Sequence, residues 1–180
     1  FNTWTLVESL VRPGQRRLEI APGLRPGLPL AGTDFVDITT SALRKLAGHG
    51  GRSARGSILA LPYADAWFDL VCTLDIVEHV DADDAALAEV ARVAAPGAAV
   101  LFATPLHMDK WNAFDDFVGH CRRYEPRAFL AKLASHGFAV EQSAAFVIQP
   151  QSSRLLDVGI WFLTHRRKKA IWVYNHLIMP

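Results

Sequence analysis

Cysteine is scarce. The 180 residues hold two, Cys72 and Cys121, too few for a disulfide framework and without metal-ligand spacing. No metal site is therefore read from the sequence, and two thiols fit a reducing, cytoplasmic setting. Net charge is almost absent, +1 from 19 basic and 18 acidic residues, so no overall field argues for a nucleic-acid partner. No signal peptide is expected from the residues given, and no apolar run among them is long enough to cross a bilayer. The chain enters an amphipathic segment at Phe1 and stops just after an apolar one at Pro180, as if the natural protein extended further at both ends. What is present is 51% hydrophobic residues with 21% charged ones, enough to build one compact domain around its own core.

Along the chain, strand and helix signals alternate. A helix is expected over 2–12, with Asn2 or Thr3 as cap and Pro13-Gly14 as stop, then a short strand over 16–20. Residues 21–29 carry three prolines and two glycines and read as a turn. A second strand over 31–37 ends at Asp37, and a helix capped by Thr39 or Thr40 closes at Gly48 and Gly50. A brief strand near 54–59 and a loop follow. The apolar runs 68–74 and 98–104 read as strands buried on both faces, separated by a helix that Asp81 or Asp83 opens and Pro96-Gly97 ends. Pro126 starts a helix that ends at Gly137, and 138–147 read as a further strand. Alternation of this kind predicts an α/β fold, a Rossmann-like, doubly wound, mostly parallel sheet with helices on both faces. Ligands of such sheets sit at the carboxyl ends of the strands, where the strand order reverses.

The informative residues fall at those ends. The first strand runs into LEIAPGLRPG, residues 18–27. Gly23 allows backbone to approach a ligand, and Glu19 places a carboxylate where a cationic amino group can be held. Eighteen residues on, Asp37 is placed to accept both hydroxyls of a ribose; Asp34 is its rival, and Asp37 is preferred. Strand, turn, strand and acid together suggest an adenosine-containing ligand. A dinucleotide would need its pyrophosphate on a helix N-terminus behind well-spaced glycines. Ala21 and Arg25 break that pattern, and Pro26 and Pro29 truncate the helix that should follow. A phosphate-free, cationic nucleoside fits better. A nicotinamide-dependent short-chain reductase is further disfavoured because Tyr63, Tyr124 and Tyr174 are followed four residues later by Trp67, Ala128 and Ile178 rather than by lysine.

Over residues 18–138 the chain resembles the class I S-adenosylmethionine-dependent methyltransferases, in particular their small-molecule and quinone-type branch. LEIAPG resembles the first motif, FVDITTSAL the second-strand motif, RGSILALPYADAWFDLVCTLDIVEHV the stretch from adenine pocket to fourth strand, and ARVAAPGAAVLFATP the fifth strand. GHCRRYEPRAFLAKLASHGF resembles the segment leading to the sixth strand. The resemblance implies a methyltransferase using S-adenosyl-L-methionine on a small-molecule acceptor, with natural-product biosynthesis as a setting. It places Glu19, Ala21 and Gly23 at the methionine end, Asp37 at the ribose with Ile38 beside the adenine, Ser57 and Ile58 at the adenine edge, and the Leu74 backbone on the donor. Two departures stand out: Ser57 replaces the usual acid, and Ala21 replaces a glycine. A binding or scaffold protein that kept the fold without donor affinity is the alternative outside catalysis.

For transfer to a hydroxyl or amine a general base helps. His79 in DIVEHV is the first candidate, His120 in VGHCRRY the second and His107 the third, the loop histidines being expected in solvent. Tyr124 is expected to pack rather than orient substrate. Arg122 and Arg123 are expected to form a solvated pair facing Asp115, Asp116 or Glu125, and Asp81, Asp83 and Asp84 to cap a helix. The chain divides into a donor-binding core, 1–150, and a helical extension, 151–180, in which two apolar segments flank the basic run HRRKK at 165–169. A lid or packing element is the first reading of this extension, a homodimer contact the second and a membrane-surface contact the last.

Overall fold

In the computed structural model, residues 3–145 and 153–173 are described. Helix α1 (Thr3–Leu10) precedes strand β1 (Arg17–Ile20). Strand β2 (Thr33–Asp37), helix α2 (Thr40–Gly48) and strand β3 (Arg52–Arg55) follow. Strand β4 (Phe68–Leu74), helix α3 (Asp83–Val93) and strand β5 (Ala94–Ala103) complete one sheet. Three further elements end the core and begin the extension: α4 (Ala113–Val118), α5 (Pro126–Ser135) and α6 (Ser153–His165). The last described helix is α7 (Arg167–Val173). The five strands are all parallel and lie in the order β3-β2-β1-β4-β5.

This order reverses between β1 and β4. Chain running outward from β1 to β3 must cross back to start β4 on the other side, and the crossing opens a crevice at the carboxyl ends of β1 and β4. Side-chain alternation along the strands separates two cores. Leu18, Ile20, Val36 and Val71 face Leu87 and Val90 of α3 and Phe129 and Leu133 of α5. Leu70 and Cys72 face Val7 of α1 on the opposite side. Helices thus cover both faces, as expected for a doubly wound sheet.

Some expected boundaries move. The third strand lies at 52–55, before the expected 54–59, because Ser57 and Ala60 close a tight bridge of their own. The fifth strand starts at Ala94 and passes through Pro96-Gly97, with an irregularity against Phe68–Leu70. It is half-buried rather than buried, since it forms the sheet edge among the described residues. The strand expected over 138–147 is not found on 138–145, which are mostly exposed and pair with nothing described; a strand needs a ladder partner, whatever its propensity. Residues 146–147 lie outside the described residues.

Candidate functional site at the strand tips

Two residues with positive φ mark the crevice: Ala21 (φ 53°), just past β1, and Asp75 (φ 51°), just past β4. Neither is a glycine, and such backbone is strained by the order of 1–3 kcal/mol, so both strand tips turn sharply where the sheet opens. Between β1 and β2 the described chain contains no helix, only turns, as Pro26 and Pro29 foretold.

Two buried acids hold that turn. Glu19, 2% exposed, accepts hydrogen bonds from the Gly27 and Leu28 amides at 2.7 Å each. Asp37, 5% exposed, accepts from Thr39 N–H at 2.7 Å and more loosely from Gly23 N–H at 3.3 Å. The β1–β2 register, Glu19 opposite Phe35, puts Glu19 and Asp37 on the same face of the sheet. The turn therefore leaves Asp37 at Gly23 and returns over Glu19 at Gly27. It passes so close to Leu74 that a Cβ on Gly27 would lie 2.8 Å from Leu74 Cδ1. Both acids, expected at the two ends of a ligand, grip one loop whose middle borders the crevice. Asp34 is spent elsewhere, in a two-point pair with Arg52 at 3.0 and 2.6 Å, three residues short of the strand tip.

Burial without a basic partner pushes the Glu19 carboxyl up to about 7, against the two amide hydrogen bonds, which lower it. Folding raises this group from 4.5, so the native state favours its neutral form. The stabilisation is complete below about 4.5 and is lost as the pH rises to about 7. We expect wild type to lose about 3 kcal/mol more unfolding free energy than Glu19→Gln between these values, read from denaturant titrations at each pH. Parallel curves for the two proteins would contradict it.

Around Asp37 three apolar side chains stay exposed: Ile38 at 67%, Leu24 at 54% and Leu59 at 40%. Ile38 follows the acid, Leu24 follows Gly23, and the segment of Leu59 is brought in by the Gly56 amide on the Asp37 carbonyl at 3.2 Å. Ser57 Oγ accepts from Leu59 N–H at 3.2 Å, and Ile58 is buried in the core. Sequence reasoning missed what fixes this segment. The Arg92 guanidinium on α3 donates to the carbonyls of Leu61 (3.0 Å) and Tyr63 (2.8 Å) and pairs with Glu89 and Asp65, while Glu89 accepts from Leu61 N–H.

On the β4 side, a turn of 3-10 helix over Val77–His79 carries Glu78 and His79. His79 is half-buried; its Nδ1 lies 3.1 Å from the Gly119 carbonyl. Burial lowers its proton affinity most, with the Gly119 carbonyl acting the other way. The His120 side chain is 9% exposed, not solvated as expected, and its Nδ1 lies 2.8 Å from Asp115 Oδ1. The two imidazoles meet edge to face, centroids 4.7 Å apart, and the Cys121 amide on the Glu78 carbonyl (2.7 Å) locks the two loops together. Glu78 had no assigned role, yet it is fully buried. Burial pushes its carboxyl up to about 8, with Asp75 adding to the rise and the Thr104 hydroxyl opposing it. Its flanking Val77 and Val80 were the available signal.

Other expectations change as well. Arg123 and Asp115 form a buried two-point pair at 2.7 and 2.8 Å rather than a solvated one. Asp83 caps nothing; it accepts from Tyr124 Oη (2.8 Å) and pairs with Arg122 (2.8 Å) and Lys132 (3.0 Å), tying α3 to α5. His107 is exposed near Glu125. Cys72 is buried and Cys121 exposed, both free. In the extension, α6 packs on α4, with Val158, Trp161 and Trp172 exposed, and no described helix is long and apolar enough to cross a membrane.

Comparison with known proteins agrees with this geometry. Residues 20–102 match the methyltransferase domain family. Norajmaline N-methyltransferase from Rauvolfia serpentina is 44% identical over 52 residues, 29% of this chain and 18% of the relative. The match thus spans less than a fifth of that relative's length. The crystal structure of the cyclase SpnF superposes with a TM-score of 0.66 at 18% identity, covering 77% of this chain and 57% of that one. A methyltransferase from Methanosarcina mazei superposes with a TM-score of 0.67 at 12% identity, covering 81% and 90%. At such identities the structural likeness is one of fold. The chain has the Rossmann-like α/β fold of these methyltransferases, and over residues 20–102, a little under half of its length, it is similar to the methyltransferase domain family.

Proposed function

We propose that this chain transfers a methyl group from S-adenosylmethionine to a small-molecule acceptor in the crevice between the tips of β1 and β4. The observation that carries the reading is a pair of buried acids on one sheet face at the strand-order reversal, with no helix N-terminus between β1 and β2 to receive a phosphate. Glu19 makes no ion pair with a described residue, so a buried carboxyl stands next to the crevice without a basic partner, and a cationic ligand beside it would favour its charged form. The loose Gly23 contact at 3.3 Å leaves Asp37 Oδ2 capacity for ribose hydroxyls. Ile38 offers an exposed apolar face to adenine, Ser57 and the backbone of Ile58 border its edge, and Ala21, Gly23 and the Leu74 backbone line the methionine end.

The donor supplies an electrophilic methyl group on a sulfonium. The chain's part is alignment and, for a hydroxyl or amine acceptor, removal of a proton. His79 and His120 stand on the β4 side with their Nδ1 atoms engaged, which leaves each Nε2 to accept one. The N-methyltransferase relative favours a nitrogen-bearing natural product as acceptor. The extension, whose α6 is seated on α4, serves as a lid over that side; a homodimer contact through the exposed Trp161 and Trp172 comes second and membrane-surface contact last. Two unpaired cysteines suit a cytoplasmic location.

A second reading has its own support. Both acids already satisfy loop amides, which suits a binding protein that needs no donor. Isothermal titration with S-adenosylmethionine, S-adenosylhomocysteine and NADH separates these readings. We expect both sulfur nucleosides to bind at micromolar concentration and NADH not to bind. Binding of NADH alone would refute the proposal, and binding of none would favour the second reading.

A further inference from the structure

Glu78 is an anomaly. Its side chain is 0% exposed, and Oε2 has a long contact with the Thr104 hydroxyl at 3.4 Å. Oε1 has no hydrogen-bond partner at all. A buried carboxylate oxygen left so costs several kcal/mol in general unless something fills the position. His120 Nε2 faces it at 3.8 Å, beyond hydrogen-bond reach.

We propose that Glu78, His79 and His120 bind a divalent first-row transition cation through one carboxylate oxygen and two imidazole nitrogens. One ligand atom from each of the three lies within 4.8 Å of the other two. Ligands at about 2.0–2.2 Å from a shared ion lie roughly 3–3.6 Å apart, so side-chain adjustments of the order of an ångström close the site. Both imidazoles are prepared for the task. Asp115 accepts from His120 Nδ1 at 2.8 Å and the Gly119 carbonyl from His79 Nδ1 at 3.1 Å. An imidazole that donates from Nδ1 presents a lone pair at Nε2, and this carboxylate- or carbonyl-supported arrangement is how metal-bound histidines are oriented. Asp115 is itself fixed by Arg123 and by the capping box of α4, so the orientation of His120 is rigidly set. Two nitrogens and one oxygen favour ions such as Zn2+ or Co2+ over Mg2+ and Ca2+, which take all-oxygen sets. Three protein ligands leave a coordination position open, beside the crevice, where an acceptor oxygen can be polarised; with the cation bound, this polarisation takes the place of proton acceptance by the two Nε2 atoms.

The inference does not require methyl transfer, and its test reads binding. Tag-free full chain, stripped with EDTA, is titrated with Co2+ and followed by visible ligand-field absorption. We expect one saturable equivalent, weakened at least tenfold by Glu78→Gln and by His120→Asn and unchanged in His107→Ala. In parallel, Co2+ should shift or broaden the ring resonances of His79 and His120 in wild type, which keeps the test decisive if a variant does not fold. Absence of saturable absorption overturns the proposal. So does absorption that survives Glu78→Gln but is lost with His107→Ala, because the exposed trio His107, Asp109 and Glu125 would then be the site.

Discussion

Asp115→Ala is expected to destabilise the fold by about 3–5 kcal/mol, the cost of removing one partner from a buried ion pair. Asp115 is 0% exposed and serves three groups at once. It takes the Arg123 guanidinium at two points, His120 Nδ1 at 2.8 Å, and the Asn112 N–H at 2.8 Å as the N3 residue of a capping box. Burial works against its charge, but Arg123, His120 and the Asn112 amide together hold the carboxyl below the usual carboxylate range. Truncation leaves a guanidinium with 10% side-chain exposure and no counter-charge from Asp115, keeping the long contact to the Leu106 carbonyl at 3.5 Å. Domains of this size are stable by about 5–15 kcal/mol, so the loss would lower the melting temperature by the order of 10 °C. The double substitution Asp115→Ala with Arg123→Met should cost less than the sum of the two single ones, since it removes both charges. A loss below about 1 kcal/mol for Asp115→Ala, or simple additivity of the pair, would show that the charges are solvated.

The core was legible in the sequence because it rests on short-range signals. Apolar continuity in FDLVCTL and the proline and glycine punctuation around it fix β4 and its neighbours, and the parallel order follows from strand-helix alternation. The positions of Gly23, Asp37 and Ile38 in the fold were legible for the same reason, since Asp37 ends β2, Ile38 follows it and Gly23 lies in the turn after β1. Less legible were groups whose role depends on partners 40 or so residues away. Asp83 looks like a helix cap when read locally, yet pairs with Tyr124, 41 positions on. Arg92 carried no expectation, and it spans 31 positions to the Leu61 carbonyl. His120 sits in a polar loop, and only the fold of α4 over Asp115 removes it from solvent. Glu78 lies one step from the favoured histidine and was passed over because a carboxylate is expected in water; burial is a property of the assembled loops. The strand expected over 138–147 is not found on 138–145 for the opposite reason, since its local pattern was suitable and it has no ladder partner among the described residues.

Asp37→Asn is expected to weaken binding of S-adenosylhomocysteine by the order of 30–150-fold, equivalent to about 2–3 kcal/mol for hydrogen bonds to a charged acceptor. The substitution keeps the shape of the side chain and one acceptor oxygen. Thr39 N–H, now bound to Oδ1 at 2.7 Å, can keep that oxygen, and the start of α2 is preserved. What disappears is the second charged oxygen, the one held only at 3.3 Å by Gly23 N–H, and an amide NH2 would point at the Gly23 donor instead. Stability should change by about 1 kcal/mol, whereas affinity falls much further, and that disparity is the signature of a ligand contact. Asp34→Asn is the matched control. It removes a carboxylate from the same strand, but one paired with Arg52, whose side chain is 60% exposed, and exposed pairs contribute about 0–1 kcal/mol. Its affinity for the nucleoside should equal that of wild type. Calorimetric titration of the three proteins decides the matter: equal affinities for wild type and Asp37→Asn would mean that Asp37 serves the Gly23 turn alone and that the ribose is held elsewhere.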